Sequence, residues 1–250
     1  CPPSETDASA RLLLRALAAG NDLTGLKPDA SMRDRVVRLL DDPAAGRTHL
    51  DVLAYEADAL VPRLAPEAGA ARDALAARFD AVLARLAADP ALSRNDRAGA
   101  LIGRIDLARL GQGKDTLQPR LPEALVRETR DLVARLDRET TDGYERDALI
   151  PTLGYALARA GLWSESDSLL RSNLARSGAP YYLMSALASN ARRQGRPDEA
   201  LRWSRQAWER SEGPATRLQW GAAYLSLLVD LSPNDEARIE QTAAQLLKEA

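Results

Sequence analysis

Apolar positions recur along this chain at three- and four-residue spacing and nowhere alternate over a sustained stretch, so the pattern predicts helices throughout and no sheet. A first helix is expected over 4–19, closed by Gly20, and the Gly, Asn, Asp and Pro of 20–29 read as a loop. Further helices are expected over 31–40, stopped by Asp41-Asp42-Pro43, and over 48–60, ahead of Pro62. The stretch 66–88 opens on a proline, and Leu75, Phe79, Val82, Leu83 and Leu86 form one apolar stripe before Pro90. Ser93 is placed to cap a helix that runs to about 110, where Gly111-Gln112-Gly113 breaks it. The next opens at Pro122 and carries Leu125, Val126, Leu132, Val133 and Leu136.

Beyond residue 140 the chain repeats itself at 34 residues. Gly161 and Gly195 stand 34 apart, as do Pro180 and Pro214. Leu153 matches Leu187, Gly154 matches Ala188, Ser166 matches Ala200, Glu165 matches Glu199 and Leu174 matches Trp208. This is the tetratricopeptide length, with small residues where two helices cross and a Gly at the turn between them. Ala200 and Ala207 are the small positions that let the second helix of a pair lie against the first. A third, longer unit follows from Ala215, with its turn at Ser232-Pro233-Asn234. The predicted fold class is therefore all-α: stacked antiparallel helix pairs, a tetratricopeptide-like α-solenoid. Three segments are expected: N-terminal helices and linker at 1–47, helical hairpins at 48–139, and tetratricopeptide-like repeats at 140–250.

Composition agrees with helix. Ala, Leu, Arg and Glu dominate and aromatics are 4%, which favours residues that lose little entropy on winding. The formal net charge is -2 with acids and bases interleaved, so no electrostatic footprint for nucleic acid stands out. No apolar run approaches the roughly 18 residues of a membrane helix. The sequence opens on Cys1 followed by a polar segment. That matches a mature bacterial lipoprotein, whose lipidated Cys1 would be the sole membrane attachment; the alternative is a fragment of a longer chain. With one cysteine, neither an internal disulfide nor a C-x-x-C pair exists.

The residues for catalysis are scarce. His49 is the only histidine, which leaves no His-based metal cluster, and its Thr-His-Leu setting suggests a surface or capping role. The segment Gly111-Gln112-Gly113-Lys114-Asp115-Thr116 departs from a phosphate loop at both ends: Ala108 replaces the first Gly, and Asp115 replaces the Ser or Thr. No catalytic, metal or cofactor site is expected.

Nine aromatics lie after position 140. Trp203 and Trp208 are expected to wedge between helices, and Trp220 and Tyr224 to share one core face. In a tetratricopeptide pair the first helix lines the inner groove. Counting repeats from 147 and 181 puts Tyr155, Arg159, Tyr182, Ser185, Ser189, Arg192 and Arg193 on that face. Tyr and Arg are frequent anchors of bound polypeptides, and Arg192 with Arg193 would suit an acidic or C-terminal carboxylate group.

From Thr140 onward the chain resembles the helical C-terminal region of a group of bacterial thioredoxin-family proteins. The resemblance is carried by Ser164-Glu165-Ser166-Asp167-Ser168-Leu169-Leu170, by Ala175-Arg176-Ser177 through Pro180-Tyr181-Tyr182-Leu183-Met184, and by SEGPATRLQWGAAYLSLLVDLSP over 211–233. It covers about 110 residues closely and 48–138 loosely. It implies a protein of the periplasm or cell envelope, beside or fused to a thioredoxin-like domain. This chain has no C-x-x-C and no βαβ pattern, so thiol chemistry does not carry over to its residues. The leading expectation is a non-enzymatic repeat domain that recruits a polypeptide partner. Two rivals are a substrate-orienting C-terminal part of a thiol-disulfide oxidoreductase and a homo-oligomerisation module.

Overall fold

The computed structural model describes residues 5–20, 25, 27–113 and 115–249, and among these there is no strand. The lipidation expected at Cys1 lies outside the described residues. No described helix is long and apolar enough to cross a membrane. The chain divides into two compact units, one of residues 1–113 and 119–133, the other of 114–118 and 134–250.

The first unit is built from α1 (Glu5–Ala19), α2 (Ala30–Asp41), α3 (Pro43–Thr48), α4 (Leu50–Leu64), α5 (Ala70–Ala88) and α6 (Arg94–Ala108), with residues 123–133 of α7 (Glu123–Glu139). Helices α4, α5 and α6 pack on one another around Leu53, Leu60, Phe79, Leu83, Leu101 and Ile105, all fully buried. Each such side chain removes enough apolar surface from water to stabilise the fold by roughly 1.5–3 kcal/mol. Helices α4 and α6 approach so closely that a Cβ on Gly103 would come within 2.5 Å of the Ala54 carbonyl oxygen. Arg104 of α6 bonds Asp80 of α5 at 2.7 Å and also Glu128 of α7. Helix α1 lies on α4, where Arg11 and Arg15 reach Asp51 at 2.5 and 2.8 Å.

Local chemistry moved several predicted boundaries. Asp42 ends α2, yet its carboxylate accepts from the Ala44 N–H at 2.9 Å and starts α3, with Pro43 in the first turn. Helix α4 does not stop ahead of Pro62 but continues to Leu64. A proline forfeits only its own N–H and crowds one carbonyl, and the buried Val61 and Leu64 hold the last turn. His49, expected at the surface, is 1% exposed between α3 and α4. It stands at the helix start, but its side chain makes no capping bond.

The second unit follows the 34-residue period. Its pairs are α8 (Gly143–Arg159) with α9 (Trp163–Asn173), α10 (Pro180–Arg193) with α11 (Pro197–Arg210), and α12 (Pro214–Leu231) with α13 (Glu236–Glu249). Each helix packs on its partner, and each pair packs on the next. Both inner turns close in the same way. Gly161 and Gly195 take φ of +78° and +68°, the left-handed conformation that glycine adopts without strain. The next residue then bonds back to the preceding helix, Leu162 N to Leu157 O and Arg196 N to Ala191 O, both at 2.9 Å.

Burial repeats as well. Leu149, Ile150, Leu153, Gly154, Ala156 and Leu157 are buried in α8. Their counterparts 34 residues on, Leu183, Met184, Leu187, Ala188, Asn190 and Ala191, are buried in α10. The small residues matched at the helix crossings, Ser166 and Ala200, are both 0% exposed. A Cβ on Gly154 would come within 2.8 Å of Leu170 Cδ2, which is why this crossing takes a glycine. In the third pair α12 has 18 residues where α10 has 14, one added helical turn. Thr242 and Leu246 are accordingly buried 38 positions after Ser204 and Trp208 rather than 34.

Candidate functional site

The first helices of the second and third pairs, α10 and α12, border an open cavity of about 800 Å³. Ser185, Ala188, Ser189 and Arg192 come from α10, Ser204 from α11, and Ala223, Ser226, Leu227, Val229 and Asp230 from α12. The α10 contributors follow one helical stripe, spaced three and four residues apart. Ala188 and Ser204 are buried and form its inner part, while Ser189, Arg192 and Asp230 are exposed.

Along α10 and α12, two contacts are made by residues 38 apart. Near their N-terminal ends three rings cluster. Tyr181 and Tyr182 lie 4.9 Å apart by centroid, and Trp220 stands 5.8 Å from the first and 5.4 Å from the second, edge-on at 86°. Toward the C-terminal ends Arg192 forms an ion pair with Asp230. Both partners are about half exposed, so the pair adds little to stability, on the order of 0–1 kcal/mol. Its larger effect is to neutralise that end of the cavity. The hydroxyls of Ser185, Ser189, Ser204 and Ser226 then supply donors and acceptors without net charge.

The predicted residues divide between the helices. Ser185, Ser189 and Arg192 line the cavity, and Tyr182, 48% exposed, lies one turn before Ser185 in the ring cluster. Arg193 is exposed at the end of α10 but does not line the cavity. Tyr155, 50% exposed, and Arg159, half-buried, sit on α8 at the repeat positions of Ser189 and Arg193. They share the helix face in register and lie outside this cavity.

The tryptophans also needed correction. Trp208 is buried, as expected, with Tyr224 at 5.9 Å. Trp203 is only half-buried: Arg171 sits over its ring at 5.1 Å, and its indole N–H donates to Glu199 at 3.3 Å. Burial alone would raise the Glu199 carboxyl, but Trp203, Arg196 and Arg171 outweigh it and hold the carboxyl below its ordinary value. Trp220 is half-buried: it packs against the core cluster that contains Tyr224, as expected, and also joins the ring cluster, and its Nε1 has no partner among the described residues. The period points to Ser226, 34 residues after Arg192, but the inner face was counted only in the first two pairs, so Trp220, Asp230 and Ser226 of α12 were not assigned to it.

Among the described residues no group of three or more His, Cys, Asp or Glu is placed to hold a metal ion. No protein-family model, curated protein or solved structure matches this chain.

Proposed function

We propose that this chain is a non-catalytic helical-repeat protein whose second unit holds an extended segment of a partner polypeptide in the α10–α12 groove. The observation that carries the reading is the groove itself. Ser185, Ser189 and Arg192 of α10 and Ser226, Val229 and Asp230 of α12 open onto one cavity, and the Tyr181, Tyr182 and Trp220 rings cluster toward the N-terminal ends of the same two helices. Its volume of about 800 Å³ falls in the range of ligand sites, roughly 300–1,000 Å³.

The chemistry indicates the kind of segment. Tyr181, Tyr182 and Trp220 offer amphipathic faces to an apolar or aromatic side chain, and the serines pair with an extended backbone. Arg192 is already held by Asp230, so a carboxylate on the ligand has to displace Asp230 first. An uncharged segment with one large apolar side chain fits better than the acidic one suggested by Arg192 and Arg193 alone. The resemblance of residues 140–250 to envelope thioredoxin-family proteins supports a setting in the bacterial cell envelope, where unfolded or exported polypeptides are the available partners. Selection from a displayed library of short random peptides on the immobilised chain tests the reading. Enrichment of uncharged peptides with an aromatic or large aliphatic residue is the result expected; enrichment of none, or of peptides still bound after Trp220→Ala, rejects it.

A further inference from the structure

At the inner end of the groove the repeat changes its chemistry. In the first pair Leu170 of α9, fully buried, packs against Gly154 of α8, so closely that a Cβ on the glycine would meet its Cδ2 at 2.8 Å. The same two positions 34 residues on hold Ala188 and Ser204, which form the buried inner part of the cavity. A hydroxymethyl group stands where the preceding pair has an isobutyl group, so this crossing keeps open space and a polar atom in place of apolar packing. In the third pair, 38 residues on, the position is Thr242, and its hydroxyl donates to the Arg238 carbonyl at 2.7 Å.

Ser204 has no such outlet. It is 8% exposed, and its hydroxyl makes no hydrogen bond with any described residue. The unpartnered polar atoms that are sealed from solvent belong to other residues, so the Ser204 oxygen opens onto the cavity that it lines. A hydroxyl in such a place is destabilising when an apolar group covers it and favourable when a partner reaches it. We propose that Ser204 selects a carboxamide side chain, Gln or Asn, from the polypeptide held in the groove, an assignment that rests on the reading of the groove as a peptide site.

The hydroxyl both donates and accepts, and a carboxamide answers both functions without charge. A carboxylate only accepts, and Arg192, the cation lining this cavity, is already paired with Asp230. An ammonium only donates, and an apolar side chain leaves the hydroxyl unpaired. Ser204 comes from α11, which packs on both α10 and α12, and lies at the inner part of the cavity. The longer reach of Gln therefore suits it better than a Ser or Thr hydroxyl, which stands one bond from Cβ.

Selection of displayed random peptides on the immobilised chain, followed by titration of the selected peptide and its analogues, tests the assignment. Gln or Asn is expected at a fixed distance from the aromatic or large aliphatic residue. Analogues with Met or Glu in its place should each bind the wild type about tenfold more weakly, the effect of a buried hydroxyl left without its partner. On Ser204→Ala, which breaks no hydrogen bond of the folded chain, the Gln and Met peptides should bind alike. Ala188→Gly with Ser204→Leu, which restores the residues of the first pair, should keep the helical circular dichroism and lose the Gln peptide; if it does not fold, the Ser204→Ala comparison decides alone. Selected peptides without a carboxamide preference, or a preference that survives Ser204→Ala, overturn the assignment and leave the groove reading standing. Retention of no peptide at all overturns both.

Discussion

Asn190 of α10 donates from Nδ2 to Ser166 Oγ of α9 at 2.9 Å, and Ser166 donates in turn to the Gly154 carbonyl at 2.7 Å. One buried relay therefore joins three helices of two successive pairs. Asn190 also donates to Asp167 at 2.8 Å, which Arg196 reaches at 3.0 Å. Asn190→Ala removes both donors and leaves a buried hydroxyl with fewer partners. The loss expected is about 1–3 kcal/mol, read as a lower urea midpoint with an unchanged slope.

Ala200→Arg tests the register more harshly. Ala200 is 0% exposed between α10 and α11, so a long cation there must clash or be buried unpaired. A loss of several kcal/mol is expected, on the scale of overpacking or an uncompensated charge. A change within about 0.5 kcal/mol, normal for a surface site, would place Ala200 elsewhere.

His49 gives the first unit a pH dependence. Its ring is buried and neither nitrogen has a hydrogen-bond partner among the described residues. Burial pushes its pKa below the ordinary 6.5; Asp7 opposes this, Arg11 adds to it, and Asp51 opposes it. The unfolded chain therefore binds the proton more readily. Stability is complete above about pH 6.5, falls as pH drops below that value, and levels off beneath the folded pKa. Melting temperatures of the wild type and His49→Leu across this window should converge in slope above it and separate below it, with the wild type losing more.

Much of the fold could be read from the sequence, because helix period, turn glycines and crossing residues all follow local rules. Gly161, Gly195, Gly154 and Ala200 each stand where a turn or a close helix crossing permits few alternatives. The groove was half legible. Ser185, Ser189 and Arg192 follow from the period, but Asp230 lies on the extra turn of α12, which no local rule enforces, and Trp220 stands where α10 has only Ala186. His49 was misread for a related reason: its burial comes from neighbours distant in sequence, while its flanking Thr48 and Leu50 look like an ordinary helix start.

Asp230→Asn should change what the groove prefers. Freed from its pair, Arg192 becomes available to a ligand carboxylate. Peptides ending in Asp or Glu near that end should bind on the order of tenfold more tightly, ~1.4 kcal/mol, with the gain fading as salt rises. Calorimetric titration of wild type and variant with matched acidic and amide peptides measures it. An equal response to both would show that Arg192 does not face the ligand.

The central claim is that α10 and α12 hold a peptide between them, and filling that space tests it most directly. Ser189 is exposed and lines the cavity, so Ser189→Trp should leave the melting temperature within the range of a surface change while occupying the groove. Titration of a library-selected peptide into wild type and Ser189→Trp, with Tyr144→Ala as a distant control, gives the comparison. The account predicts affinity at least tenfold weaker for Ser189→Trp and unchanged for the control. Equal affinity in all three, with Ser189→Trp fully folded, would contradict it.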